Sequence, residues 1–534
     1  MKKHLAYAFL ALLLTTGPAL ADTPLADAVQ ANDLKTAEKL LADRHVDVNE
    51  AQVDGATPLL WAVHNVHVDL ARELLKKGAK ADVITKYGAS PLHEAVNLGN
   101  VDLVKLLLEA GADPDSKNAD GLTALMLAAR LGVTEVAELL VKHGASVNAI
   151  EQSRGQTALM WAAAEKHPEI VDLLLKHGAD VTVRAKANDW KSQITSEPRA
   201  QYRQSGGLTA LLYAARDDCF ECAKSIIEAG ADINRPSPDG ITPLIMAIDN
   251  FSFDTAKYLL DKGADPNRWD WWGRTPLYAA VDMKSYHPGR GGFNPRGPEF
   301  GRAPRMDGAT TATDIIKMLL AAGVDPNPQL NIRRPGRNGG GRFVDSSLTV
   351  GTTPLFMAAI NFDTDTIKLL LKAGADPNLP NVRGNTPLMG AAGMGIARID
   401  SRGGYVRKDA QEAAIETIKL LLANGADINA RMTDTESRTG RIARHSAINN
   451  RQGQNAVFSA ASWGWGDVVK FLIANGCDPK VVDDFGKTSI DAARNTNAGG
   501  RATGRHEDIV EILKAAGVKE NPKEAAAAGK VEKS

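Results

Sequence analysis

The spacing of glycines constrains this chain more than any other feature. Gly55, Gly88 and Gly121 lie 33 residues apart, Gly207, Gly240 and Gly273 repeat the interval, and so do the pairs Gly351 with Gly384 and Gly453 with Gly486. A fixed period of this size marks a stack of one small supersecondary unit, each copy too small to bury its own apolar face. The prior of about 150 residues per globular domain therefore does not apply to the 534 residues.

Each glycine opens the same phrase. Thr57-Pro58-Leu59, Thr242-Pro243-Leu244, Thr275-Pro276-Leu277, Thr353-Pro354-Leu355 and Thr386-Pro387-Leu388 stand two residues after their glycines, with Ser90-Pro91-Leu92 as a variant and Ala replacing Pro after Thr123, Thr157 and Thr209. A Thr hydroxyl caps a helix and Pro fits its first position, where no N–H is needed. A second helix such as the one containing Leu103 to Leu108 follows a turn and presents apolar residues on one face. The closing Gly111-Ala112-Asp113 and its recurrences at Gly178, Gly230, Gly263, Gly374 and Gly425 supply the left-handed stop.

In these motifs the chain resembles the ankyrin-repeat family over about residues 22 to 520. The resemblance implies an all-α repeat solenoid of stacked helix-turn-helix modules with β-hairpin fingers and long loop inserts. It also implies a scaffold for protein partners, bound through hairpin tips and the exposed ends of first helices. Twelve modules are read, the first and last degenerate as terminal caps. The family's histidine after Thr-Pro-Leu survives only as His93, which predicts weaker side-chain hydrogen bonding between modules.

The expected organisation is a signal peptide over 1–21, a capping repeat over 22–54, repeats over 55–206, 207–350 and 351–485, a C-terminal cap over 486–519, and a disordered tail over 520–534. Lys2 and Lys3, the apolar run from Leu5 to Leu14, and Ala19-Leu20-Ala21 have the form of a bacterial secretory signal with its cleavage site. The run is too short to span a bilayer of roughly 30 Å. A soluble, exported protein without a transmembrane segment is expected, periplasmic or secreted.

Where the period breaks, inserts occur: 184–206, 328–345 and 430–452 at finger positions, and 284–310 and 396–412 between the two helices of a module. The whole chain carries 63 Lys and Arg against 64 Asp and Glu, so no global charge calls for nucleic acid. Locally the inserts are basic, with Arg290, Arg296, Arg302 and Arg305 in one and Arg333, Arg334 and Arg337 in another. Two readings stay open: solvated loops settling on an acidic stack, or grips for an anionic surface on a partner or lipid. The Arg-Gly-Gly phrase at 290–292 has the look of an RNA-binding segment, but export argues against RNA.

Aligned on its own period, the chain puts Trp269, Trp271, Trp272 and Arg274 at a hairpin tip. Asn250 and Phe251 fall at the first-helix exit one module earlier, and Trp463 and Trp465 near the C-terminal end. Trp and Arg dominate protein-binding hot spots, so these are the expected contacts. Trp61 and Trp161 are expected in the core. Cys219 and Cys222 form a CxxC at the start of a second helix. A packed idle pair, an exposed disulfide and a redox pair all remain open, the last making the chain a periplasmic redox or chaperone-like accessory that acts on a partner, although cysteines three apart within a helix sit farther apart than a relaxed disulfide prefers. Cys477 replaces the Ala of the closing triplet and is expected buried. His64 and His67 lack a third partner at metal-ligand spacing, and Asp265 and Asn267 are too few for a calcium loop. Neither a cofactor nor enzyme activity is expected.

Overall fold

The computed structural model describes residues 23–188, 205–284, 309–331, 350–393, 410–433, 451–494 and 506–520. Among them, 24 helices follow one another as antiparallel pairs. Contacts divide the chain into two units, 1–185 and 186–534.

The first unit holds α1 (Pro24–Gln30) with α2 (Leu34–Leu41), α3 (Pro58–His64) with α4 (Val68–Lys76), α5 (Pro91–Asn97) with α6 (Val101–Glu109), α7 (Ala124–Leu131) with α8 (Thr134–Lys142), and α9 (Ala158–Glu165) with α10 (Pro168–Lys176). The second begins with a short antiparallel ladder, β1 (Ala187–Asn188) and β2 (Ser205–Gly206), in which Ala187 pairs with Gly206. This is the base of one finger. Seven pairs follow: α11 (Ala210–Asp217) and α12 (Phe220–Glu228), α13 (Pro243–Asp249) and α14 (Phe253–Asp261), α15 (Pro276–Lys284) and α16 (Ala312–Ala321), α17 (Pro354–Ile360) and α18 (Thr364–Lys372), α19 (Pro387–Ala391) and α20 (Ala410–Ala423), α21 (Ala456–Trp463) and α22 (Gly466–Ala474), and α23 (Ser489–Arg494) and α24 (Glu507–Ala515).

The first helices start where their caps dictate. Thr57 Oγ1 accepts the Leu60 N–H at 3.3 Å, and Thr123, Thr242 and Thr353 do the same for Met126, Ile245 and Phe356. Losing one such cap costs about 1 kcal/mol. The leucine that follows, as at Leu59, Leu125, Leu244 and Leu355, is buried between neighbouring modules. Each contributes roughly 1.5–3 kcal/mol of apolar burial. Second helices bury one face, for α6 Leu103, Val104, Leu107 and Leu108, and end on a left-handed glycine such as Gly111, φ +88°.

The loss of the family's histidine does not leave the modules without side-chain hydrogen bonds. In five modules an asparagine, four residues after the closing glycine in all but the first, links the module to the next. Asn378 Nδ2 donates to the Gly425 carbonyl at 2.8 Å while its Oδ1 accepts the Asp427 N–H at 2.6 Å. Asn49, Asn148, Asn327 and Asn429 make the same two bonds to Gly78 and Lys80, Gly178 and Asp180, Gly374 and Asp376, and Gly476 and Asp478. The Asp-x-Asn phrase thus ties modules together at Asp325 and Asn327, whereas at Asp265 the carboxylate accepts the Asn267 N–H at 2.9 Å. Among the described residues no helix is long and apolar enough to cross a membrane. The proposed signal segment, the tips of all the inserts and the tail beyond 520 lie outside the described residues.

Candidate interaction surface

The loop from Arg268 to Thr275 is built on Asp270. Its Oδ1 accepts the N–H groups of Trp272 and Arg274, at 3.0 and 2.9 Å, and fixes a tight turn. The turn sends alternate side chains to opposite sides. Trp269 and Trp271 point to solvent, 65% and 49% exposed, while Trp272 and Arg274 go inward, 5% and 1% exposed. Neighbouring tips are laced by main-chain bonds: the Trp271 N–H donates to the Asp239 carbonyl at 3.0 Å and the Asn331 N–H to the Trp272 carbonyl at 2.9 Å. Lys86 to Asp54, Val382 to Val350 and Asp484 to Gln452 repeat this bond elsewhere. Gly240 must lack a side chain, because a Cβ there would lie 3.2 Å from the Asp270 Cα and its φ is +79°.

The tips of the first unit present Val53, Ile84, Tyr87 and Ile150 to solvent, and those of the second present Trp269, Trp271, Val382, Val482 and Phe485. Apart from the tryptophans, these were not singled out from the sequence. The available signal was their place within four or five residues before a tip glycine.

The sequence pattern described as ankyrin repeats (3 copies) matches residues 25–118, 99–185, 211–287 and 306–432, more than half of the chain. The chain belongs to the ankyrin-repeat family. It is 28% identical over 144 residues to a putative ankyrin repeat protein of Acanthamoeba polyphaga mimivirus, a match covering 26% of this chain and 22% of that one. It is 40% identical over 58 residues to ankyrin repeat domain-containing protein 49 of Bos taurus, covering 11% of this chain and 24% of the relative. The chain thus spans less than a quarter of either curated relative. The crystal structure of the human ASB11 ankyrin repeat domain is similar over 46% of this chain and 99% of its own, with 25% identity and a TM-score of 0.36. Ankyrin repeats are in general scaffolds for protein–protein interaction and typically not enzymes.

Within this ankyrin stack the expected contact residues separate into three groups. Trp269 and Trp271 are surface residues. Asn250, Phe251 and Trp463 are half-buried: Asn250 Nδ2 is bound to the Met246 carbonyl at 2.8 Å, Phe251 takes φ +61° in the turn, and Trp463 Nε1 donates to the Gly393 carbonyl at 2.7 Å. Trp272, Arg274 and Trp465 are buried, which corrects the expectation that they face a partner. Trp465 occupies the N-cap position of α22 and packs between Trp463 and Phe362, with ring centroids 5.8 and 6.2 Å away. Arg274 occupies the position just before the capping Thr, where sister modules bury Ala56, Leu122 and Ile241. Its guanidinium binds Asp270 through Nε at 2.7 Å and both oxygens of Asp249 at 2.8 Å, and lies 5.3 Å above Trp272. Burial works against its charge, but Asp249 and Asp270 more than offset that and hold its pKa above the usual value.

Trp61 is buried as expected, whereas Trp161 is only half-buried, with the Arg130 guanidinium 5.7 Å above its ring. Arg290, Arg296, Arg302, Arg305, Arg333, Arg334 and Arg337 lie outside the described residues. The roots of the first of these inserts are fixed, with Lys284 Nζ 2.9 Å from Asp363 Oδ1 and the Thr310 N–H bound to Asp254 Oδ1 at 3.0 Å.

Cys219 and Cys222 form a disulfide with Cα atoms 5.2 Å apart. The geometric objection fails because Cys219 is not in the helix: it is the N-cap of α12, φ −100° and ψ 85°. Both cysteines are buried, 6% and 0% exposed, which gives a redox role on a partner no support. Cys477 is buried against the Ile428 carbonyl, and its thiol is pushed up to about 12 by burial. His64 Nδ1 is 2.8 Å from Glu94 Oε1, and His67 occupies the N-cap position of α4 with its ring against Asn32 Oδ1. Among the described residues no cluster of three or more metal-binding side chains occurs.

Proposed function

We propose that this ankyrin stack is an exported, non-enzymatic scaffold that captures a protein partner on the row of hairpin tips centred on Trp269 and Trp271. The exposed indoles carry this reading. They stand on a turn held by Asp270 and laced to the tips on either side, so they are presented without further ordering. Two exposed tryptophans on a rigid tip make a surface that a partner would desolvate. The basic inserts supply a second contact, suited to an acidic face of the partner or an anionic surface. Export to the periplasm or beyond is supported by the form of residues 1–21 and by the disulfide, since oxidising compartments are where disulfides persist.

The test is photocrosslinking from position 269, on the same tip, in the exporting cell, followed by capture with purified protein. A single recurrent partner, lost on Trp271→Ala and retained when Val53 is replaced by Ser, is the expected result. Crosslinks that do not change on Trp271→Ala refute the site, and cell fractionation that leaves the chain in the cytosol refutes export.

A further inference from the structure

Three second helices of this protein share one device at their start. In α2, Asp33 at the N-cap accepts both the N–H and the hydroxyl of Thr36, at 3.1 and 2.6 Å. In α18, Asp363 does the same for Thr366, at 3.2 and 2.6 Å. In α16, Thr311 and Asp314 form the reciprocal box. All three pairs join the N-cap to the third helical residue, and so tie down the first turn. In α12 those two positions are Cys219 and Cys222, and no side-chain hydrogen bond caps the helix. A sulfur–sulfur bond stands where α2, α16 and α18 place hydrogen bonds.

We propose that the Cys219–Cys222 disulfide is a redox-operated helix cap that makes the order of α12 depend on the thiol–disulfide state around it. Closed, it holds the turn against the first helical residues, and Cys222, Ala223 and Ile226 pack into the core. Opened, it leaves two thiols, which are weak hydrogen-bonding groups and poor caps. A dithiol reductant opens it. Its thiolate attacks Sγ of Cys219, the less buried cysteine, and expels the Cys222 thiolate. The reductant's second thiolate then displaces Cys219 from the mixed disulfide. Two electrons and two protons reach the cysteine pair, and the reductant leaves as its own disulfide. The helix N-terminus favours the thiolates that form. A disulfide oxidant reverses every step. Cys477, buried and far up in pKa, takes no part.

The experiment follows hydrogen exchange in the full chain with and without dithiothreitol, with alkylation to count thiols. Reduction is expected to add two alkylatable thiols and to speed exchange in 220–228 about tenfold, the scale of one lost cap. Exchange in 364–372, capped by Asp363 and Thr366, is expected to stay unchanged. Cys219→Asp with Cys222→Thr copies that hydrogen-bonded pair, and is expected to exchange slowly whether or not reductant is present. Equal exchange in both redox states, or reductant-sensitive exchange in the double variant, overturns the proposal. So do cysteines that remain alkylatable after incubation with oxidised glutathione.

Discussion

Arg274 reaches back across a module boundary to grip both carboxylate oxygens of Asp249, each at 2.8 Å, with only 2% of its side chain exposed. The pair joins the end of α13 to the root of α15, and Asp270 closes the third side. A buried ion pair gains little over apolar packing, but removing one partner leaves the other charge stranded. Arg274→Ala is therefore expected to destabilise this region by about 3–5 kcal/mol. Arg274→Ile combined with Asp249→Ala and Asp270→Asn, which borrows Ile241, Ala164 and Asn381 from sister modules, is expected to recover most of that. Urea melts of the two variants check it, and an unfolding midpoint for Arg274→Ala equal to wild type would refute the stranded-charge argument.

The turns between paired helices hold a second test. Sister modules use Gly99, Gly132 and Gly464 at the left-handed position, but Val66, Phe251 and Phe362 take it with φ of +62°, +61° and +56°. A β-branched or bulky residue is strained there. Val66 is exposed and has little packing to lose, so Val66→Gly is expected to stabilise the protein by about 0.5–1 kcal/mol. Phe362→Gly is expected to gain nothing, because its ring packs 6.2 Å from Trp465. Thermal melts should place the two variants on opposite sides of wild type or leave the second unchanged.

How much of this was legible depended on whether one residue type decides a position by itself. Thr caps, the proline after them and closing glycines act locally, so the helix pairs could be read directly. The direction of a tip side chain depends on a turn set by Asp270, and a tryptophan cluster gives no sign of which rings turn inward. Arg274 was readable in principle, because the residue before each Thr is buried in sister copies. Its charge concealed that, since the compensating Asp249 lies a module earlier. Cys219 was misplaced by a single residue, and that step across the helix boundary decides whether the disulfide fits. The asparagine ladder was visible as a repeated phrase, but its partners are 47 to 49 residues away at the inserted modules, as for Asn378 with Gly425 and Asp427.

That ladder gives the third prediction. Asn378→Ala removes one donor and one acceptor between modules at an exposed edge, where water can replace both bonds, so a loss of about 1 kcal/mol is expected. Asn378→Asp keeps the acceptor but loses the donor to the Gly425 carbonyl, and should fall between the two. A melt showing Asp no better than Ala would assign the contribution to the donor alone.

His93 supplies a pH dependence. Its Nδ1 lies 2.7 Å from Ser90 Oγ and its Nε2 lies 3.2 Å from the Leu122 carbonyl, which together suit a neutral ring. Burial holds its pKa below the ordinary 6.5. The unfolded chain therefore binds a proton more readily, and the stability His93 contributes is complete above pH 6.5 and fades as pH falls from there through the lower folded value. Melting temperature is expected to drop between pH 7 and pH 5, and to drop less in His93→Met, which borrows Met126 from the next module. Equal slopes in the two proteins would show that His93 does not titrate with folding.

The adjacent pair Trp271 and Trp272 separates binding from stability most sharply. Trp271 is half exposed on the tip, while Trp272 is 5% exposed and lies under Arg274 in the core of the same turn. Trp272→Ala removes a buried ring and the face on which the guanidinium rests, so a loss of about 3–5 kcal/mol in stability is expected. Trp271→Ala removes no core contact; the melting temperature should move by less than a degree or two, while partner affinity falls by about 2 kcal/mol or more. Calorimetric melts together with binding titrations of the two variants read both quantities. If Trp271→Ala lowers the melting temperature as much as Trp272→Ala does and leaves binding intact, the exposed indole supports the fold and the partner docks elsewhere on the stack.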